Sequence, residues 1–67
     1  MFDWEDLRFF SSFAAAGSLA AASRSLSVDH VTVARRISSL EKSLNLKLVD
    51  RRQRSYSLTE SGRRVAE

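Results

Sequence analysis

The sequence predicts a mainly α-helical domain: three helices, a short two-stranded hairpin and the start of a further helix. Three observations carry this. Apolar residues recur at helical steps of three and four in successive segments. Helix-stopping and helix-starting residues stand between those segments. After residue 45 the apolar period changes from helical to alternating.

Asp3 suits the cap of a first helix over roughly residues 4 to 16, and Asp6 in its first turn favours the positive helix end. Leu7, Phe10, Phe13 and Ala14 mark its buried stripe, with Phe9 beside it, and Trp4 reads as an anchor for the helix start. Gly17 suits the left-handed residue that ends a helix, and Ser18 the cap of the next one. This second helix, about residues 19 to 26, is "LAAASRSL". Leu19, Ala22 and Leu26 share one face, and the alanines let another helix approach closely. Asp29 then suits the cap of a third helix, about residues 30–44. Two short helices joined by a tight turn, the first small-sided and the second amphipathic, form a helix-turn-helix.

In the third helix Val33, Ile37, Leu40 and Leu44 recur at steps of four, three and four, so they bury a common face. At about 100° per residue, Val31, Arg35, Ser38 and Lys42 fall opposite. That outer face is small near the helix start, basic in the middle and free of acids. Asn45 suits the left-handed terminator. Leu46 and Leu48 then alternate with Lys47, and Tyr56 and Leu58 with Ser57, which predicts two short strands around the polar, turn-like "DRRQRS". Thr59 caps a final helix opening "ESGRRVAE". Eight residues of helix are marginal alone, so this element is expected to continue past Glu67.

Sixty-seven residues make one small domain, and a chain of this length buries only about 60% of its unfolded surface. The absence of cysteine excludes disulfides and thiolate metal sites and fits a reducing cytoplasm; His30, the lone histidine, cannot build a zinc site by itself. No metal or cofactor is expected. No apolar run approaches the roughly 18 residues of a membrane span, and the acidic N-terminus does not read as a signal peptide. A glycine-rich phosphate loop, a cysteine nucleophile and a histidine paired with a carboxylate are all missing, which argues against an enzyme.

The net charge of +3 is unevenly spread. Residues 1 to 28 carry Arg8 and Arg24 against Asp3, Glu5 and Asp6, for −1, whereas residues 29 to 67 carry nine basic and five acidic side chains, for +4. Such asymmetry suggests an anionic partner, most commonly nucleic acid, against the blander reading of a solvated basic surface. The major groove of duplex DNA admits one α-helix, and its base edges present donors, acceptors and thymine methyls. A reading helix therefore needs an inner face fixed to a core and an outer face small enough to enter. His30, Val31, Thr32, Ala34, Arg35 and Ser38 are the candidate reading residues. Arg35 can fork onto a guanine, and Val31 and Thr32 offer methyls to thymine. His30 meets a base or phosphate, or is merely exposed, and the helix start offers unpaired N–H groups to phosphate. Arg36 lies nearer the buried flank, where packing or a phosphate contact outranks base readout, and Lys42 suits a phosphate. Arg51, Arg52 and Arg54, with Gln53 among them, sit at the hairpin tip, about residues 50–56. Phosphate and minor-groove contacts suit that position, and they fix register while carrying little sequence information; a solvated tip is the alternative.

Taken together, "LRFFSSFAAAGSLAAASRSLSVDHVTVARRISSLEKSLNLKLVDRRQRSYSLTESG" resembles the N-terminal winged helix-turn-helix of LysR-type transcriptional regulators. Its most specific pieces are "GSLAAASRSL", "RRISSLEKSL" and "LTESG", in that order and spacing. The resemblance implies a DNA-binding domain over residues 1–58 and, in residues 59–67, the truncated start of the linker helix through which family members dimerise. It implies a bacterial cytoplasmic regulator with double-stranded DNA as its partner, and a homodimer or higher oligomer when intact. At this length a monomer or weak dimer is expected, with a small-molecule effector acting only through an absent C-terminal domain. By position, the family's base-reading side chains correspond to His30, Val31, Ala34 and Arg35, and its wing arginine to Arg51 or Arg52. The chain departs from the family pattern at Asp29-His30-Val31, where Ser-Gln-Pro is frequent, and at Ala34, where serine is frequent. Asn45 replaces a usual glycine and Val49 a usual phenylalanine. A winged-helix protein-interaction module is the competing reading.

Overall fold

Local capping chemistry sets the helix bounds. The computed structural model describes residues 3–50 and 56–66. Within it α1 runs Trp4–Ala16, α2 Leu19–Leu26 and α3 His30–Leu44. The Asp3 carboxylate accepts the Glu5 N–H at 2.8 Å, the Ser18 hydroxyl accepts that of Ala21 at 3.1 Å, and the Asp29 carboxylate accepts that of Thr32 at 2.8 Å. Each cap satisfies a donor the first helical turn leaves unpaired. The three helices end on left-handed residues, Gly17 (φ 88°), Ser27 (φ 58°) and Asn45 (φ 53°). Gly17 and Asn45 are the expected terminators; Ser27, a residue type that seldom takes this conformation, makes the turn of the helix-turn-helix.

The core is the seam between these helices. Phe9, Phe10 and Phe13 from α1, Ala22 from α2 and Val33, Ile37 and Leu40 from α3 are buried together with Leu48 and Val49. Leu7, Leu19, Leu26 and Leu44 are half-buried around them. Phe9 thus belongs to the buried stripe of α1, while Ala14 sits at its margin. Trp4, expected to anchor the helix start, is 73% exposed, and the Asp3 carboxylate caps that start.

Strand β1 (Val49–Asp50) pairs antiparallel with β2 (Ser57–Leu58), Val49 opposite Leu58 and Asp50 opposite Ser57. The alternation of Leu46 and Leu48 predicts an earlier first strand. Leu46 belongs instead to the close of α3, its N–H on the Glu41 carbonyl, and it is 43% exposed. The Leu48 N–H is taken by the Glu41 carboxylate, so pairing begins one residue later. Helix α4 (Glu60–Ala66) starts as expected at Thr59, whose hydroxyl accepts the Gly62 N–H at 3.0 Å and donates to the Lys47 carbonyl. Val65 and Ala66 pack against the core. Among the described residues no helix is long and apolar enough to cross a membrane, and no His, Cys, Asp and Glu cluster could hold a metal ion.

Candidate nucleic-acid interface

Helix α3 divides cleanly. Val33, Ile37 and Leu40 have no exposed surface, whereas Val31 on the other side is 62% exposed. His30, Arg35 and Lys42 are exposed, and Thr32, Ala34 and Ser38 are half-buried along the flanks. A single exposed valine is unremarkable on a protein surface. Its place one turn before an exposed arginine, on a helix fixed from behind, gives it meaning.

The start of α3 differs from the bare set of amides expected there. The Thr32 N–H is already taken by Asp29. Hydrogen bonding from Thr32 holds the Asp29 carboxyl below its usual range, with a smaller attraction from Arg35 and His30. A phosphate approaching this end would meet His30 and Arg35 around a carboxylate.

Arg36 reaches across to α1. Its Nη1 lies 3.1 Å from Asp6 Oδ1 and 3.7 Å from Asp3 Oδ2, and its Cζ sits 5.4 Å from the Phe9 ring centroid. Its side chain packs onto α1 and keeps 41% of its surface exposed. Beside it a groove of about 410 Å³ runs between α1 and α3, with Asp3 and Asp6 on one wall and Thr32, Arg35, Arg36, Ser39 and Ser43 on the other. Lys42 borders a more open depression of about 470 Å³ with Ser38, Glu41 and Lys47, on the side toward the hairpin.

Arg51, Arg52 and Arg54, expected at the hairpin tip, lie outside the described residues. One Glu41 carboxylate oxygen accepts the N–H groups of both Leu48 (2.8 Å) and Val49 (3.2 Å). The helix that carries the exposed basic face therefore also carries the hairpin. Sequence reasoning assigned Glu41 no task. Its signal was there, since it is the only acid in "HVTVARRISSLEKSL" and follows a core leucine. Asp6, read as a partner for the helix dipole, is 2% exposed and pairs with Arg36, 30 positions away.

Residues 4–63 match the bacterial regulatory helix-turn-helix proteins of the lysR family. The chain belongs to that family. Over 60 residues, 90% of its length, it is 37% identical to the uncharacterized HTH-type transcriptional regulator YybE of Bacillus subtilis (strain 168), of which it spans 20%. Its fold superposes on the full-length Vibrio cholerae virulence activator AphB, an LTTR family member, with a TM-score of 0.88 at 37% identity, over 97% of this chain and 22% of AphB. It superposes equally on CbnR_DBD in its DNA complex, with a TM-score of 0.87 at 31% identity, over 97% of this chain and 75% of that one. The LysR chain described here thus spans about a fifth of the length of YybE and of AphB. In LysR terms α2 and α3 are the helix-turn-helix, and β1 with β2 is the wing.

Proposed function

We propose that this LysR-family chain binds double-stranded DNA sequence-specifically, as the DNA-reading part of a bacterial transcription regulator, with α3 in the major groove. One observation carries the reading: α3 fixes Val33, Ile37 and Leu40 in the core while Val31 and Arg35 stand in solvent on the opposite side. The likeness to CbnR_DBD in a DNA complex supports it. In this reading Arg35 forks onto a guanine edge, Val31 and Thr32 contact thymine methyls, and His30, Ala34 and Ser38 line the helix–base contact. Lys42 and the wing arginines Arg51, Arg52 and Arg54 take phosphates or the minor groove. The role is binding, carried out in the cytoplasm where bacterial DNA lies.

We assign residues 1–58 to DNA binding and residues 59–67 to the base of the dimerising helix. A single module buries roughly 600–1,000 Å² on DNA and binds weakly; two tied copies gain through effective concentration. The test is selection of a preferred duplex from a random pool, followed by fluorescence anisotropy across a salt series. Affinity should fall linearly on logarithmic axes, with a slope of about −0.9 per phosphate contacted. No duplex binding at low salt would overturn the proposal.

A further inference from the structure

Arg35 and Arg36 are adjacent, chemically identical and line one groove, yet it is Arg36 that the fold pairs with Asp6. Arg35 is exposed, whereas Arg36, its side chain 41% exposed, reaches the buried Asp6 at 3.1 Å across the α1–α3 seam. Asp6 is 2% exposed, and a buried carboxylate is costly unless paired and hydrogen-bonded. The pair is further constrained. The guanidinium lies 5.4 Å from the Phe9 ring centroid, and Asp3 Oδ2 closes the rim at 3.7 Å.

The apolar core that α1 and α3 share, with Phe9, Phe10, Val33 and Ile37 among its members, is non-directional, so it tolerates small rolls of one helix on another. A charge-assisted hydrogen bond is directional and is met at one roll only. Buried ion pairs add little net stability over apolar packing, and fixing a register is their best-attested use. Rolling α3 would swing Val31 and Arg35 about the helix axis together.

We propose that Asp6 and Arg36 are a positioning pair for DNA readout, fixing the roll of α3 on α1 so that Arg35 faces the duplex while the charge of Arg36 is held off the phosphates. This rests on the DNA-binding reading above. Asp6→Asn tests it, because the charge goes while the size stays. Two changes are expected, read on the 67-residue chain with the selected duplex and a scrambled one. The affinity ratio between the duplexes falls by about fivefold or more, a loss of over ~1 kcal/mol of discrimination. The salt slope steepens by about 0.9, one phosphate's worth, as the released Arg36 reaches the backbone. A merely structural pair would weaken both duplexes alike at unchanged slope; that result, or the failure of either change to appear, overturns the proposal. Should Asp6→Asn not fold, the double variant Asp6→Asn/Arg36→Gln decides, since it exchanges the ion pair for a neutral amide pair. A slope equal to that of the unaltered chain supports the proposal. A slope shallower by about 0.9 means that Arg36 already touches a phosphate and overturns it. Failure of the unaltered chain to bind duplex would sink the DNA-binding reading itself, a separate result.

Discussion

Gly62 of α4 rides directly on the carbonyl of Leu48: a β-carbon there would lie 2.0 Å from the Leu48 oxygen and 3.0 Å from its carbon. The same carbonyl accepts the Thr59 N–H at 3.0 Å. The first turn of α4 is therefore held against Leu48, the residue before β1, by backbone on backbone, which leaves no flexible side chain to give way.

Gly62→Ala should accordingly destabilise the fold. In an open helix this change would gain about 1 kcal/mol. Here the clash has to displace α4, and overpacking of this kind costs about 1–3 kcal/mol. For a domain of this size that is a fall of roughly 4–8 °C in Tm per kcal/mol. Thermal or urea unfolding reads the sign, and a gain in stability would mean that α4 does not approach Leu48.

Glu41→Ala should loosen the base of the wing. It strips the shared acceptor from the N–H groups of Leu48 and Val49, both on fully buried residues. A buried donor left without a partner costs about 1–3 kcal/mol. Glu41→Gln keeps an oxygen acceptor and should lose less. Amide hydrogen exchange at residues 48 and 49 is the direct measurement; unchanged protection in the alanine variant would contradict the contact.

Asp29 makes stability fall in acid. Its folded-state carboxyl titrates below the usual range, chiefly through hydrogen bonding from Thr32, so the unfolded chain takes up the proton at higher pH. The contribution is complete above the ordinary carboxylate value and is lost as pH falls through the depressed one, from about pH 5 downward. Asn caps a helix as well as Asp and does not titrate. The Tm of Asp29→Asn should therefore fall less steeply over that range. Glu5, lowered by its hydrogen bond to Arg8, titrates in both proteins and cancels from the comparison. Identical pH profiles would remove Asp29 as the cause.

Arg35→Ala should lower affinity for the selected duplex by roughly five- to 150-fold, the span of about 1–3 kcal/mol for a bidentate base contact. Preference should relax at one base position. Lys42→Ala should instead weaken all duplexes alike and reduce the salt slope by about 0.9, as a phosphate contact does. Anisotropy at matched salt with repeated site selection separates the two. An Arg35→Ala chain that binds unchanged would take that side chain out of the readout.

Nearly all of the helical framework is readable along the chain, because its signals act over three or four residues. Asp3, Ser18 and Asp29 start helices, Gly17 and Asn45 end them, and the 3.6-residue period of Val33, Ile37 and Leu40 names the buried face of α3. The outward Val31 and Arg35 follow from that period. Ser27 was hidden because a serine in the left-handed region carries no compositional mark.

The sequence by itself therefore determined the helices, the helix-turn-helix, the face α3 turns outward and the basic charge behind it. Only the tertiary structure decided that Trp4 stays in solvent, that pairing starts at Val49, that α4 requires a glycine at 62 and that Arg36 turns to Asp6. The physical reason is range. A cap or an amphipathic period is complete within one or two turns of chain, whereas a carboxylate that buries itself on an arginine 30 positions away depends on how finished helices come together.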